Sequence, residues 1–220
     1  MPLRLAYRQL LTIAVLVLLG LSSAVFAETL PIGRFSAGDL GGWKEKSFVG
    51  NTHYQIIDTE QGKVLHAGAQ SSASGMFRKV RIDLTRTPWL HWSWRVDETF
   101  SGNDERSKAG DDYPARVYVV VDGGMFFWRT RAVNYVWSSN QPVTTSWPNA
   151  FTGNAMMVAV RSGSADTGRW VQERRNVRED LKRLFGEDIT HIDAVAVMTD
   201  SDNTGQSASA FYGDIYFASE

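Results

Sequence analysis

Two arginines on separate predicted strands are the side chains best suited to hold a ligand. Alternation along segment 91–97 places Arg95 opposite the tryptophans, and along segment 115–121 it places Arg116 and Tyr118 opposite three valines. Two guanidinium groups on one face can bind a carboxylate or sulfate through paired hydrogen bonds, and an aromatic ring can stack on a sugar. If the two strands are neighbours, we expect one concave binding surface.

Acidic side chains can either complete this site or neutralise it. Glu173 and Asp200 are candidates to share the surface, so the predicted ligand-binding set is Arg95, Arg116, Tyr118, Glu173 and Asp200. The alternative is an internal ladder of ion pairs, because buried charges need partners. Its acids would come from Asp97, Asp112, Glu173 and Asp200.

Two acidic segments carry the oxygens that a hard cation needs. Residues 199–205 are Thr-Asp-Ser-Asp-Asn-Thr-Gly, and residues 108–113 are Lys-Ala-Gly-Asp-Asp-Tyr. The first segment alone falls short of the about six to eight oxygens that calcium takes, so a polar hairpin turn is the favoured interpretation. Asp111 and Asp112 would point to opposite faces of a strand, so we do not expect them to act on one atom.

Familiar catalytic arrangements are missing from the sequence. The four histidines are widely separated, no Gly-x-Ser-x-Gly turn occurs, and there is no cysteine. A glycosidase that pairs Glu173 with Asp97 or Asp200 stays open, because two carboxylates suffice for that chemistry. The sequence therefore favours a binding protein over an enzyme, with this hydrolase as the alternative.

The first 27 residues have the layout of a signal peptide. Arg4 and Arg8 precede an apolar run at 10–19, and small residues lead to a cleavage position after Ala27. The run is about half the roughly 20 residues that a membrane-spanning helix needs, so cleavage is favoured over a retained anchor. We therefore expect residues 28–220 to form a single domain, periplasmic or secreted, without a transmembrane anchor.

The charge balance of residues 28–220 excludes one class of partner. Removing Arg4 and Arg8 from 23 basic residues leaves 21 against 24 acidic residues. Nucleic-acid-binding domains carry a basic excess, so nucleic acid is not an expected partner. The eight Trp, seven Tyr and eleven Phe are enough to supply a sandwich core and still leave candidate surface platforms for sugars.

Period-two patterning predicts strands along most of residues 28–220. The segments are 53–58, 63–67, 75–82, 91–97, 115–121, 132–137, 155–161, 194–199 and 209–217. One helix is predicted near 176–185, where Asn176 can cap the first turn, Glu179 can complete a capping box and Gly186 can end the last turn. These elements predict an all-β fold, an antiparallel β-sandwich of jelly-roll type with one short helix.

Several ordered motifs resemble one bacterial family. They are Trp94-Arg95-Val96-Asp97, the run from Lys108 to Val119, Tyr135-Val136-Trp137-Ser138, Glu173-Arg174-Arg175-Asn176-Val177, the run from Val197 to Gly205, and Tyr212-Gly213-Asp214-Ile215. Together they resemble the domain-of-unknown-function 3047 family over residues 35–217. The resemblance implies a secreted bacterial protein and supplies no activity, substrate or catalytic residue.

A more distant resemblance is to galactose-binding-like jelly rolls, the fold of many carbohydrate-binding modules. Phe35, the pair Gly42-Trp43 and the closing strand 211–217 carry it. In such modules an acid on the last strand helps to hold a structural calcium. The resemblance therefore implies that Asp214 binds calcium and ties the last strand to the N-terminal segment, with Asp39 as a further oxygen donor.

These observations favour a periplasmic module that binds a carbohydrate or a cell-envelope glycan, including an anionic glycan held by Arg95 and Arg116. The alternatives are a polysaccharide hydrolase that uses paired carboxylates and a structural envelope protein without a small ligand. Structural calcium is the one cofactor that the sequence suggests.

Overall fold

The structure is a computed structural model that describes residues 28–125 and 127–220. The predicted signal peptide, residues 1–27, lies outside the described residues. In the part of the chain that is described, no helix has both the length and the apolar character needed to cross a membrane.

Strands dominate the described residues, and one α-helix interrupts them. The elements are β1 Thr29–Gly33, β2 Trp43–Val49, β3 His53–Thr59, β4 Gly62–Gln70, β5 Ala73–Asp83, β6 Trp89–Val96, β7 Ala115–Val121, β8 Arg131–Ser138, β9 Ser146–Asn149, β10 Thr152–Ser162, β11 Val171–Asn176, α1 Val177–Phe185, β12 His191–Asp200, β13 Ser207–Tyr212 and β14 Ile215–Ala218. Short 3-10 turns occur at Phe35–Ala37, Lys108–Gly110 and Phe127–Arg129.

Strand β6 is the centre of the first sheet. It pairs with β11 along one edge and with β13 and β14 along the other; β4 and β3 continue outward from β13, and β1 pairs with β14. The second sheet has the order β2-β5-β12-β7-β8-β10-β9. Among the described strands all pairs are antiparallel except β8 with β10, which run parallel. The predicted antiparallel β-sandwich with one helix is confirmed, with this one pair as the exception.

The core fills the space between the inner faces of the two sheets. Trp92 and Trp94 of β6 are buried against Tyr135 and Trp137 of β8. The ring centroids are 5.5 Å apart for Trp92 and Tyr135, and 5.9 Å apart for Trp94 and Trp137. Aromatic pairs at such distances contribute stability beyond the area they bury. Alternation along β6 and β8 therefore directs the largest rings into the core.

Helix α1 is bounded by the capping residues that the sequence predicts. Asn176 Oδ1 accepts a hydrogen bond from Glu179 N at 3.1 Å, and Gly186 adopts a left-handed backbone with φ of 74°. Val177 and Leu181 are buried in the core. Because α1 follows β11 directly, this burial also anchors β11 beside β6.

The outer face of the second sheet buries polar side chains. On β7, Val117 and Val119 point into the core, so Arg116 and Tyr118 point away from it, yet both are buried. Asn134 on β8 is also buried. Side chains that point outward and remain covered must lie below surrounding walls, which places a recess on this face.

Candidate functional site

A cleft of about 540 Å³ occupies the outer face of the second sheet. Residues that line it come from all seven strands of the sheet, β2, β5, β12, β7, β8, β10 and β9. Six strand spacings of about 4.8 Å give the lining a reach of roughly 29 Å along the sheet. A recess with this reach suits an extended ligand that lies across the strands.

The floor of the cleft contains a cross-strand pair, Tyr118 of β7 and Asn134 of β8. Both residues are only 7% exposed. Within residues 28–125 and 127–220, neither the Tyr118 hydroxyl nor the Asn134 side-chain amide has a hydrogen-bond partner. Neither polar group is among the enclosed side-chain atoms that lack a partner, so both open to the cleft and are free to donate to or accept from a ligand. Burial raises the pKa of the Tyr118 hydroxyl, so the group stays protonated and can donate.

Room for the Tyr118 hydroxyl comes from a glycine on β5. A Cβ atom on Gly75 would lie 3.2 Å from Tyr118 Oη and 3.0 Å from the Phe77 ring. The Phe77 ring meets the Tyr118 ring edge-on, with centroids 5.4 Å apart. Gly75 therefore leaves space for the hydroxyl while Phe77 holds the ring.

Two exposed phenylalanines stand at the rim of the cleft. Phe48 is 53% exposed and Phe151 is 57% exposed, although large apolar side chains are usually buried. Lys46 Nζ lies 5.1 Å from the Phe48 ring centroid, and Lys108 Nζ lies 5.4 Å from that of Phe151. The rim thus offers aromatic faces of the kind on which the apolar face of a sugar ring packs.

A buried ion pair forms one end of the floor. Arg116 Nε donates to Asp200 Oδ1 at 3.0 Å, and Arg116 Nη2 donates to Asp200 Oδ2. Tyr113 N donates to the same Oδ1 at 3.2 Å, and the Arg116 guanidinium lies 4.8 Å from the Tyr113 ring centroid. The ion pair that the sequence offered as an alternative is therefore present for Arg116 and Asp200, and it lines the cleft.

Three further acids gather around this ion pair. The carboxylate oxygens of Asp112, Asp200 and Asp202 lie within 4.8 Å of one another. Asp112 accepts from Asn203 N at 3.2 Å and from Thr204 N at 2.6 Å. Asp111 is the remaining acid beside the ion pair, and it lines the cleft together with Asp200 and Asp202.

Asp111, Asp112, Asp200 and Asp202 form what we call the acidic end of the cleft. Arg116 is the one basic side chain among the described residues that line the cleft, so the carboxylates outnumber the cations there. Burial raises the pKa of Asp111, although Arg116 opposes the effect. Burial also raises the pKa of Asp202, and the neighbouring Asp112 adds to the increase. The three carboxylates of Asp112, Asp200 and Asp202 are close enough to share a metal ion, but hydrogen-bond donors already occupy Asp112 and Asp200, and calcium takes about six to eight oxygens.

The segment after Asp200 is not the hairpin turn that the sequence favoured. It joins β12 in the second sheet to β13 in the first, so it crosses between the sheets. Its backbone N–H groups bind Asp112, which comes from a distant part of the chain.

Arg95 lies on the other side of the molecule from Arg116. Strand β6 belongs to the first sheet and β7 to the second, so the condition for a binding surface shared by the two arginines is not met. Arg95 Nη2 lies 3.3 Å from Asp97 Oδ1, and its guanidinium is 3.9 Å from the Phe211 ring centroid. Of the predicted ligand-binding set, the cleft brings together Arg116, Tyr118 and Asp200, and it does not include Arg95.

Glu173 points between the two sheets. Its Oε1 accepts from Trp94 Nε1 at 3.2 Å and from Arg161 Nε at 2.6 Å. Burial raises the pKa of the Glu173 carboxyl, although the Arg161 partner opposes the effect. Asp97 follows β6 on the outer face of the first sheet and Asp200 lies in the cleft, so neither carboxylate pair considered for a glycosidase is assembled.

Asp214 ties the last strand to the N-terminal segment through hydrogen bonds from Ser36. Its Oδ1 accepts from Ser36 N at 2.8 Å, and its Oδ2 accepts from Ser36 Oγ at 2.6 Å. Asp39 bonds to Gly41 N at 2.7 Å and lies 3.9 Å from Arg34. Among the described residues, Asp214 belongs to no group of three or more acidic or histidine side chains that could share an ion, so the calcium site implied by the resemblance would have to draw its other oxygens from backbone carbonyl groups.

One family matches most of the chain. The family described as "Protein of unknown function (DUF3047)" matches residues 41–216. The chain belongs to the DUF3047 family. The resemblance indicated by the motifs is therefore confirmed. A search of curated proteins found no match.

Solved structures similar to this DUF3047 protein include β-sandwich carbohydrate-binding modules. Cellulose induced protein Cip1 aligns with a TM-score of 0.50 and 9% identity, over 88% of this chain and 97% of that chain. The family 11 module from Clostridium thermocellum, in complex with a β-1,3-1,4-mixed-linked tetrasaccharide, aligns with a TM-score of 0.43 and 12% identity, over 86% and 94%. At these identities the likeness concerns the fold alone.

Sequence reasoning missed several cleft residues of this DUF3047 protein. Asn134 carried a usable signal, because it is a lone polar residue in the apolar part of predicted strand 132–137. Phe48 lies on an edge strand that is mostly exposed, so its segment shows no buried alternation. Phe151 lies in the turn between β9 and β10, where no periodicity applies.

Proposed function

We propose that this DUF3047 protein is exported and that its cleft binds a carbohydrate chain. The observation that carries the proposal is the pair Tyr118 and Asn134, which is nine-tenths buried and lacks hydrogen bonds within the described residues. Both polar groups open to the cleft, so a ligand can bond them there in place of water.

The chemistry of the cleft fits sugar hydroxyl groups. An amide both donates and accepts, and a protonated phenol does the same, which matches hydroxyls that need both. Met198 and Ala155 add apolar surface to the lining, and the rim rings of Phe48 and Phe151 can stack on pyranose faces. A few polar groups set in an apolar cleft are typical of small-ligand sites.

The extended shape of the cleft favours a polymer over a monosaccharide. Its reach of roughly 29 Å follows from seven neighbouring strands. Export rests on the charge pattern and apolar run of residues 1–27, and an exported protein of this kind meets cell-envelope or extracellular glycans.

The test uses a glycan array followed by calorimetry with the oligosaccharides that bind. We expect Tyr118→Phe and Asn134→Leu to weaken binding by about tenfold or more, which is about 1.4 kcal/mol. The matched control is Tyr216→Phe, a tyrosine on the first sheet that stacks on His91 at 4.7 Å and lies outside the cleft.

Stability separates this function from a structural role for the same residues. Tyr118→Phe removes an unbonded hydroxyl, so its melting temperature should equal or exceed that of the wild type. Loss of glycan binding without loss of stability supports the proposal. An array without any bound glycan, or equal binding by wild type and both floor variants, contradicts it.

A further inference from the structure

The acids of the cleft are concentrated at one end, and cations are scarce there. Asp111, Asp200 and Asp202 line the cleft, and Arg116 is the one basic residue among the described residues that line it. Arg116 is committed to Asp200 through both Nε and Nη2. The charges of Asp111 and Asp202 are therefore left without a cationic partner in the lining.

Asp112 adds a buried carboxyl group behind the acids that line the cleft. It is fully buried, and its oxygens lie within 4.8 Å of those of Asp200 and Asp202. Its hydrogen-bond partners are the backbone N–H groups of Asn203 and Thr204, which carry no formal charge. Buried like charges at such separations repel strongly, because the surrounding dielectric is low.

The lysines near the cleft do not cancel this field. Lys46 and Lys108 lie over the rim rings of Phe48 and Phe151, and both are exposed to solvent. Solvent and salt screen exposed charges far more than buried ones. An acidic ligand on the floor would therefore meet the carboxylates at close range and the lysines only at the rim.

A second feature shows that the acidic end belongs to a ligand site. The unbonded side chains of Tyr118 and Asn134, each nine-tenths buried, line the same cleft as Asp111, Asp200 and Asp202. A ligand that reaches this pair lies in the field of the acids. Its charge must then affect its affinity.

We propose that the cleft selects glycans that carry amino groups, binds neutral glycans more weakly and excludes acidic ones. This inference rests on the proposed function and names the chemical class of its ligand. A protonated amine placed near Asp111 and Asp202 would supply the cation that the lining lacks. The uronic or sulfated glycans that Arg95 and Arg116 suggested in the sequence would be repelled.

The test compares three oligosaccharides with the same β-1,4-linked pyranose backbone and different charge. They are a chitosan oligosaccharide with free amines, a cello-oligosaccharide, and a cello-oligosaccharide oxidised to carboxylates at C6. Calorimetry below the pKa of the amines should rank their affinities in that order, with about a tenfold gap or more between the first and the last. Added salt should narrow the gap, because it screens the charge term.

Two variants locate the effect in the cleft. Asp202→Asn and Asp111→Asn should each reduce the preference for the amine and admit more of the acidic ligand. The matched control is Asp97→Asn, which removes a carboxylate from the outer face of the first sheet and should leave the ranking unchanged.

The outcomes distinguish this inference from the function on which it rests. If the acidic oligosaccharide binds as tightly as the amine, or binds only with calcium and loses affinity with chelator, the inference fails and carbohydrate binding stands. An unchanged ranking in both Asp202→Asn and Asp111→Asn overturns it as well. If none of the three binds and the array is also empty, the proposed function fails and takes the inference with it.

Discussion

Arg116 and Asp200 join two neighbouring strands of the second sheet through a buried, two-point ion pair. Strands β7 and β12 are hydrogen-bonded partners, with Arg116 opposite Met198. The two charged side chains are 8% and 2% exposed. The pair consequently fixes the position of Arg116 next to Tyr118 and sets the shape of the acidic end of the cleft.

Breaking this pair from one side should destabilise the protein strongly. We expect Asp200→Asn to lower the free energy of unfolding by about 3–5 kcal/mol, because the guanidinium of Arg116 then stays buried without a counter-charge. Urea unfolding of the purified protein measures the change. The double variant Arg116→Met with Asp200→Leu should recover part of the loss, since it removes both charges.

An exposed ion pair provides the control for this prediction. Lys63 Nζ lies 2.9 Å from Asp58 Oδ1, and both side chains are largely in solvent. Asp58→Asn should change the free energy of unfolding by less than about 1 kcal/mol. Similar small losses for Asp200→Asn and Asp58→Asn would show that the buried pair contributes little.

Local patterns in the sequence account for most of the fold. The alternation in β6 and β7 assigned the inner and outer faces correctly, and the capping residues Asn176 and Gly186 marked both ends of α1. Edge strands were harder to find. β2 is exposed at nearly every residue, so it lacks the alternation that a half-buried strand shows.

The site was only partly predictable because strand pairing is a long-range property. Alternation shows that Arg95 and Arg116 point away from the core, and it carries no information on which sheet each strand joins. β6 pairs with β11, β13 and β14, whereas β7 pairs with β12 and β8. Consequently one arginine reached the cleft and the other did not.

The link between Asp214 and Ser36 should stabilise the protein independently of metal. Both carboxylate oxygens of Asp214 accept hydrogen bonds from Ser36, so we expect Asp214→Ala to lower the free energy of unfolding by about 1–2 kcal/mol. Ser36→Ala should have a smaller effect, because the backbone N–H of residue 36 still donates. The losses should be less than additive, since both variants remove the same contact.

The effect of calcium on the melting temperature provides a second test at Asp214. We expect melting curves in chelator and in excess calcium to superimpose, because the surrounding side chains do not supply a calcium ligand set. A rise in Tm with calcium that Asp214→Ala abolishes would instead support the site implied by the sequence resemblance.

Two histidines on the outer face of the first sheet should make stability fall on mild acidification. Burial lowers the pKa of His66 and of His91 from the ordinary 6.5. Protonation then favours the unfolded chain, so the contribution of each histidine is present above pH 6.5 and is lost as the pH falls below that value. Urea unfolding at about pH 7.5 and about pH 5.5 should show the loss.

Variants isolate the histidine contribution from that of the acids. Burial raises the pKa of Glu105 and of Glu173. The folded protein therefore binds protons at these carboxyl groups more readily than the unfolded chain does, so their contribution to the free energy of unfolding increases as the pH falls, opposite to that of the histidines. His66→Gln and His91→Gln should each reduce the loss between the two pH values. The control is His191 on the second sheet, which is not among the groups that act on His66 or His91, and a His191→Gln variant with the same reduction would refute the assignment.

Gly213 should tolerate a side chain only if Ser93 gives way. Gly213 N donates to Ser93 O at 2.9 Å, which brings the turn between β13 and β14 close to β6. A Cβ on Gly213 would lie 2.2 Å from Ser93 Oγ, whereas its distance to Ser93 Cβ would be an ordinary 3.5 Å. Gly213→Ala therefore forces the Ser93 hydroxyl into another rotamer, and we expect a loss of about 1 kcal/mol.

A double-mutant cycle tests this close approach directly. In a Ser93→Ala background the clashing oxygen is gone, so Gly213→Ala should then cost much less than in the wild type. Gly153→Ala is the matched control, because a Cβ there would meet nothing within 4 Å. Chemical unfolding of the four proteins in the cycle gives the coupling energy. A coupling near zero would mean that Gly213 is required for another reason, such as the backbone path that leads into the Asp214–Ser36 link.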